Sequence, residues 1–225
     1  MTTPLLNTTV GDYPLQQCRL AVGGREWSIQ HTGAAISYDE ETAYFDDSAN
    51  RLPYGVALWP AAIALAHDVA MRTSEFAGRS VLELGAGTGL PGIVAASLGA
   101  NVLQSDRQDL ALHLCRLNGE RNATTGLRHA IADWTEWTLD ERFDWIMGSD
   151  ILYGEALHPF LRRIFETNLK PGGKVLVGDP FRRPAITFLE SLEASGWKVV
   201  MSKWSIGSGK APRPVGVFEL TPPRV

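Results

Sequence analysis

Two hydrophobic periods alternate along this chain. From Tyr54 onward, apolar residues at helical spacing predict helices over residues 56–70, 91–98, 109–120, 155–168 and 184–195. Short apolar runs between them predict strands over residues 80–84, 101–104, 127–132, 143–147 and 174–178. Pro91 falls in a first helical turn, where a missing N–H has no partner to lose. Pro171-Gly172-Gly173 predicts a turn before the strand at 174. Alternation of this kind predicts an α/β fold with a doubly wound, mostly parallel sheet. Two further runs, 197–204 and 215–220, follow one another with no helix between them and predict a closing antiparallel pair.

The first 54 residues follow another pattern. Alternating runs at 17–22 and 25–31 flank Gly23-Gly24 and predict a β-hairpin. Residues 38–47 hold five acids among aromatics, a solvated loop or a docking surface for a basic segment. Asn50-Arg51-Leu52-Pro53 predicts a turn. The expected organisation is an arm over residues 1–54 and one domain over 55–225.

At 225 residues the chain can bury a substantial core as a single domain with an arm. With 21 Lys+Arg against 25 Asp+Glu its net charge is -4, which argues against a general nucleic-acid binder. Its two cysteines, Cys18 and Cys115, build neither a disulfide framework nor a structural zinc site, and fit a reducing cytoplasm. The five histidines, at 31, 67, 113, 129 and 158, show no metal spacing, so no metal is expected. The first 20 residues lack the basic start and apolar run of a signal peptide, and no stretch has the length of a membrane span.

Chemistry enters at residues 81–89, where a strand runs into a turn containing Gly85, Ala86, Gly87 and Gly89 and then into a helix. Glycines let backbone N–H groups approach a ligand closely, and the helix N-terminus adds a partial positive end. Dinucleotides and S-adenosylmethionine both use such turns. A GxGxxG pattern begins at Gly87, but the strand ends at Leu84, so the first turn glycine is Gly85. Glu83, inside the strand, would repel a pyrophosphate and suit an ammonium and a sulfonium, which favours S-adenosyl-L-methionine. A tight turn with no ligand is the bland alternative. Asp106, after the second strand, is placed to accept two ribose hydroxyls, or to cap the next helix. Asp133 and Trp134, after the third strand, could accept from an adenine amino group and stack on its ring, or form a capped turn with a core Trp.

These pieces resemble the class I (seven-stranded) S-adenosylmethionine-dependent methyltransferases, and more narrowly the lysine-methyltransferase-like branch called family 16. The residues carrying the resemblance are Leu58-Trp59-Pro60-Ala61, residues 81–92, Gly99-Ala100, Asp106, Asn118, Asp133-Trp134 and Ser149-Asp150-Ile151-Leu152-Tyr153, within about residues 52–205. Gly178-Asp179-Pro180-Phe181-Arg182 is similar to a segment of the electron-transfer-flavoprotein lysine methyltransferases. The resemblance implies strand order 3-2-1-4-5-7-6 with strand 7 antiparallel. It implies that Glu83 and the loop hold the amino-acid end of the cofactor, Asp106 the ribose, and Asp133 and Trp134 the adenine. It also implies that Trp59 and Ser149 lie at the cofactor pocket and that Asp150 and Tyr153 face the substrate.

A lysine amine must be neutral to attack a methyl group, although its free pKa is about 10.4. Desolvation beside a sulfonium lowers that pKa, whereas a carboxylate raises it. Asp150 is therefore read as an orienting acceptor, with proton acceptance left open. Tyr153, taken as one helical turn further on, offers a hydroxyl and an aromatic wall; an N-cap with a packed Tyr is the alternative. Arg182 and Arg183, after a strand end, could meet an acidic substrate. The expected activity is methyl transfer to a protein lysine. Rival readings are transfer to a small molecule or nucleic acid by the same fold, cofactor binding without catalysis, and, more remotely, a nicotinamide-dependent oxidoreductase.

Overall fold

A computed structural model describes residues 5–8, 11–33, 54–207 and 212–223. The acidic stretch 38–47 and the turn at 50–53 lie outside the described residues. The described strands are β1 (Leu5–Thr8), β2 (Gly11–Pro14), β3 (Gln16–Val22), β4 (Arg25–His31), β5 (Ser80–Leu84), β6 (Asn101–Asp106), β7 (Leu127–Ile131), β8 (Phe143–Ser149), β9 (Leu169–Asp179), β10 (Lys198–Ile206) and β11 (Arg213–Thr221). The helices are α1 (Pro60–Ala70), α2 (Thr73–Phe76), α3 (Leu90–Ser97), α4 (Asp109–Arg121), α5 (His158–Asn168) and α6 (Arg183–Ala194).

Seven strands form one sheet in the order β10-β11-β9-β8-β5-β6-β7. Neighbours from β9 to β7 run parallel, while β11 is antiparallel to both β9 and β10. Counted from β5, this is the expected order 3-2-1-4-5-7-6. Side-chain alternation along the strands sorts two cores. Val81, Val102, Trp145, Met147 and Leu176 face α1 and α3, together with Val22, Trp27 and Ile29 of the hairpin. Leu82, Leu84, Leu103, Ile146 and Val175 face α5 and α6 through Leu161, Phe165, Phe188 and Leu192.

The predicted hairpin is β3–β4, a sheet of its own. Its turn lies on the end of α1, so a Cβ at Gly23 would stand 2.7 Å from Ala70 Cβ. The Trp27 indole donates to Val22 O at 3.1 Å and closes the hairpin from inside.

Several elements differ from the sequence-based expectation, four of them in kind or at the site. Pro171-Gly172-Gly173 is a bulge inside β9, not a turn before it: the register steps from Phe143 opposite Leu169 to Trp145 opposite Lys174. β6 continues through Ser105 to Asp106, polar residues that continue the ladder by pairing with β7. The helix expected from residue 155 begins as a 3-10 turn, Glu155–Leu157, and turns α-helical only at His158. A further hairpin, β1–β2, precedes β3.

Candidate active site

The candidate residues meet where β5, β6, β7, β8 and β9 end. Gly85, Gly87 and Gly89 all take positive φ, and at Gly87 the backbone also leaves no alternative: a Cβ there would stand 2.8 Å from Gly55 O. A Cβ at Gly85 would touch Trp134 at 3.1 Å and Ile151 at 3.2 Å. The loops after β5, β7 and β8 therefore converge on the first turn glycine. Ala86 is buried, and its amide donates to Ser105 O at 3.0 Å, which ties the turn to β6.

Glu83 lies behind this loop. Its Oε1 accepts from Gly92 N at 3.1 Å and its Oε2 from Gln104 Nε2 at 2.7 Å. It is 2 % exposed, so it acts on the loop and the first turn of α3. Burial raises its pKa to about 7 against those two hydrogen bonds, and the nearby Asp106 charge adds to the rise. Gly92 is required here, because a Cβ would come within 2.2 Å of Glu83 Oε2. Gln104 also donates to Gly89 O at 3.0 Å, and its Oε1 meets His129 Nε2 at 3.1 Å.

Asp106 is the last residue of β6. Its Oδ2 accepts from Gly87 N at 3.2 Å and its Oδ1 from Gln108 N at 2.9 Å. It does not cap α4, whose N-cap residue is Gln108. Burial raises its pKa, opposed by those two amides. A carboxylate oxygen has room for a second donor, so Asp106 retains acceptor capacity at the mouth of the loop.

Asp133 caps the 3-10 turn Trp134–Glu136, with Oδ1 accepting from Thr135 N at 2.8 Å and Thr135 Oγ1 at 2.7 Å. Those bonds lower its pKa. Trp134 packs half-buried on the α5/α6 core with its ring against Gly85. Trp59 stands half-buried before α1, and Pro60 opens that helix. Ala61 O would lie 2.9 Å from a Cβ at Gly178, which pairs with Ser149, the last residue of β8. Trp59 and Ser149 therefore share this end of the sheet.

Asp150 follows with φ +55, a conformation that disfavours side chains, and its amide donates to Gly178 O at 2.9 Å. Its carboxylate accepts from the Arg182 guanidinium. Arg182 also reaches Asp179 Oδ2 at 3.3 Å, while its amide donates to Asp179 Oδ1 at 2.6 Å. Phe181, beside it, takes φ +65. Two strained turns, after β8 and after β9, are thus locked by one arginine. Burial raises the Asp179 pKa against the Arg182 bonds. Arg182 faces these acids, so it is not the free cation for an acidic substrate that the sequence suggested. Tyr153 lies in a loop, not one helical turn on, and is 54 % exposed.

Sequence reasoning missed Gln104 and Cys115 as members of this site and gave Arg182 a substrate where the structure gives it Asp150 and Asp179. The signal for Arg182 was its place after β9, facing the Asp150 segment after β8. Cys115 is buried, and its Sγ donates to Gly87 O at 3.3 Å. Burial, with Glu83 and Asp106 nearby, holds its pKa well above the usual thiol value. Cys18 and Cys115 are both free thiols. Among the described residues no group of His, Cys, Asp and Glu could hold a metal ion, and no helix is long and apolar enough to cross a membrane.

A family model described as "Lysine methyltransferase" matches residues 39–195. The chain is 38% identical over 135 residues to "Protein N-lysine methyltransferase METTL21A" of Danio rerio, covering 56% of this chain and 61% of that protein. It is 29% identical over 147 residues to "EEF1A lysine methyltransferase 3" of Mus musculus, covering 63% and 62%. It is 37% identical over 106 residues to "Histone-arginine methyltransferase METTL23" of Xenopus laevis, covering 44% and 45%. The chain thus spans about three-fifths or less of the length of these curated relatives. Among solved structures, N-methyltransferase NodS from Bradyrhizobium japonicum, in complex with S-adenosyl-L-homocysteine, superposes with TM-score 0.59 at 17% identity, covering 81% of this chain and 98% of that one. The 16S rRNA N2 G1207 methyltransferase RsmC of T. thermophilus gives TM-score 0.60 at 20% identity, covering 91% and 50%. At these identities the likeness is one of fold.

Proposed function

The chain belongs to the lysine methyltransferase family, and from that premise we propose that it transfers a methyl group from S-adenosylmethionine to a lysine side chain of a protein. The observation that carries this reading is the convergence, at one end of the sheet, of the glycine loop, the Asp106 carboxylate and the Asp150–Arg182 pair. The residues fit the cofactor. The loop's glycines take positive φ, and at Gly87 a Cβ would run into Gly55 O, so the turn keeps its backbone bare toward a ligand. Asp106 offers acceptor capacity for two ribose hydroxyls, and Trp134 offers an indole beside the loop for the adenine, with Asp133 as its polar neighbour. Trp59 and Ser149, at the same end of the sheet, would border the cofactor. Glu83 acts one step back, holding the loop to α3. When bound, S-adenosylmethionine supplies an electrophilic methyl group on a sulfonium.

The protein's own contribution is alignment, since proximity and orientation can supply several kcal/mol. Asp150, held by Arg182 and by its own amide on Gly178 O, accepts a hydrogen bond from the target amine and aims its lone pair. Arg182, which donates to one oxygen of that carboxylate, fixes its direction, and Asp150 serves as the orienting acceptor. Tyr153, exposed at the rim, meets the protein substrate and walls the amine. Residues 1–54 act as an arm on a catalytic domain of residues 55–225, supported by β3–β4 joining no strand of the main sheet. The two free thiols support a cytoplasmic location.

The test is transfer of a radiolabelled methyl group into a host lysate, separated into protein, nucleic acid and small molecules. Discrete labelled protein bands, lost with Asp150→Ala while cofactor affinity stays within about twofold, are expected. Label confined to the other two fractions overturns the protein-lysine assignment.

A further inference from the structure

The N-terminal hairpin is held to α4 by side-chain amides. β4 pairs with β3 along one edge, and along its other edge Ser28 and Gln30 turn their N–H and C=O groups toward α4. An edge strand needs partners for those groups. Here they are side-chain amides. Asn118 Oδ1 accepts from Gln30 N at 2.8 Å and its Nδ2 donates to Gln30 O at 3.0 Å. Asn122 repeats the pattern on Ser28, at 3.0 and 2.9 Å. A primary amide carries the donor and acceptor of a peptide unit, so each Asn imitates one residue of a neighbouring strand. The spacing also matches: residues i and i+4 of a helix rise about 6 Å, and residues i and i+2 of a strand about 6.7 Å.

The two rungs differ in their remaining hydrogen. Asn122 spends it within its own helix, on Asn118 O at 2.8 Å. Asn118 spends it on Thr88 O, in the glycine loop, at 2.9 Å. Its side chain is wholly buried, with both amide hydrogens and the oxygen engaged. A shift of the loop that removed Thr88 O would leave a buried donor unpaired, or draw the amide away from Gln30, and either is costly.

We propose that Asn118 is a positioning residue that couples the N-terminal hairpin to the glycine loop, so that ordering either one stabilises the other. The inference rests on the reading that this loop holds S-adenosylmethionine. By reciprocity, cofactor at the loop tightens the hairpin as much as the hairpin tightens cofactor binding.

The experiment is amide hydrogen exchange at Ser28 and Gln30 in the full chain, with and without saturating S-adenosylhomocysteine, beside a direct binding titration. In the wild type, exchange at both amides is expected to slow by about threefold or more. Asn118→Ala should bind about five- to tenfold more weakly and lose the response of the hairpin to ligand. Asn122→Ala should quicken hairpin exchange but keep both the response and an affinity within about twofold. Should Asn118→Ala fail to fold, Asn118→Ser keeps a small polar side chain but is too short to span Gln30 and Thr88 together. It should weaken binding about two- to fivefold. Tight binding with no change at Ser28 and Gln30, an unaltered response in Asn118→Ala, or full affinity in Asn118→Ser would each overturn the coupling and leave the cofactor reading intact. No binding to the wild type would instead remove the cofactor reading, and the coupling with it.

Discussion

Carboxylates near the beginnings of the parallel strands live under different rules from those near their ends. Asp144, at the start of β8, accepts from Ser80 N at 2.8 Å, Ser80 Oγ at 2.7 Å and Lys170 Nζ at 3.0 Å. Partial burial works against its ionisation, but those bonds prevail and bring its pKa to about 2. Glu219, on the antiparallel strand β11 opposite Leu176, is likewise lowered, since Lys174 and Arg72 outweigh its burial. At the other end Glu83, Asp106 and Asp179 are buried and all three are raised. The lower group is held by cations and, at Asp144, by Ser80 as well, and serves the fold. The upper group is more deeply buried, and there burial prevails over the backbone, amide and Arg182 donors. Perturbation by burial, at loops that converge, supports the proposal that this is the functional end.

The sharpest way to break this comparison is through Glu83. Its folded pKa, about 7, lies above the ordinary 4.5, so the folded protein binds more protons than the unfolded chain between those values. Stability should therefore fall as pH rises from about 4.5 to about 7 and level off above, by on the order of 3 kcal/mol. Glu83→Gln should flatten that decline, measured as the denaturation midpoint against pH. A decline that survives in Glu83→Gln would assign it to other groups, Asp106 and Asp179 first.

The next effect is on binding. Asp106→Ala should raise the S-adenosylhomocysteine dissociation constant about 30-fold, near 2 kcal/mol, because a carboxylate placed for two hydroxyls is lost. Asp106 also receives Gly87 N, so the fold must be checked by the thermal midpoint. Unchanged affinity with the fold intact would refute the ribose role.

Local signals carried much of this molecule. The helix–strand alternation, the two closing strands and the glycine turn were readable because each is a pattern of neighbours. Boundaries failed where polarity hid pairing: Ser105 and Asp106 are not apolar, yet they extend β6 against β7. Pro171-Gly172-Gly173 carries every mark of a turn and is absorbed as a bulge, because Leu169 pairs with Phe143 before it. The site residues came from motif position, and the structure gathers them at one end of the sheet. Their partners did not, because those contacts are distant in sequence. Arg182 holds Asp150 across 32 positions, and Asn118 holds Gln30 across 88. Single-sequence patterns locate a loop or a strand end; they are silent about which distant side chain braces it.

The smallest predicted effect tests the fold-serving half of the comparison. Asp144→Asn keeps an oxygen for Ser80 and gives up the charge that faces Lys170, about 3.0 Å away in the wild type. Lys170 is partly exposed, so solvent screens the pair and the loss at neutral pH should be about 1 kcal/mol or less. The folded Asp144 pKa lies below its ordinary 3.8, so its contribution is complete above that value and disappears as pH falls through about 2. The stability curves of wild type and Asp144→Asn should accordingly separate above about pH 4 and converge in strong acid, as read by denaturant titration across that range. S-adenosylhomocysteine affinity should stay within about twofold, since nothing at Asp144 reaches the loop ends of the sheet. A fall in affinity as large as that of Asp106→Ala would mean the two groups of carboxylates are energetically linked, and the division between a fold-serving end and a ligand-serving end would not stand.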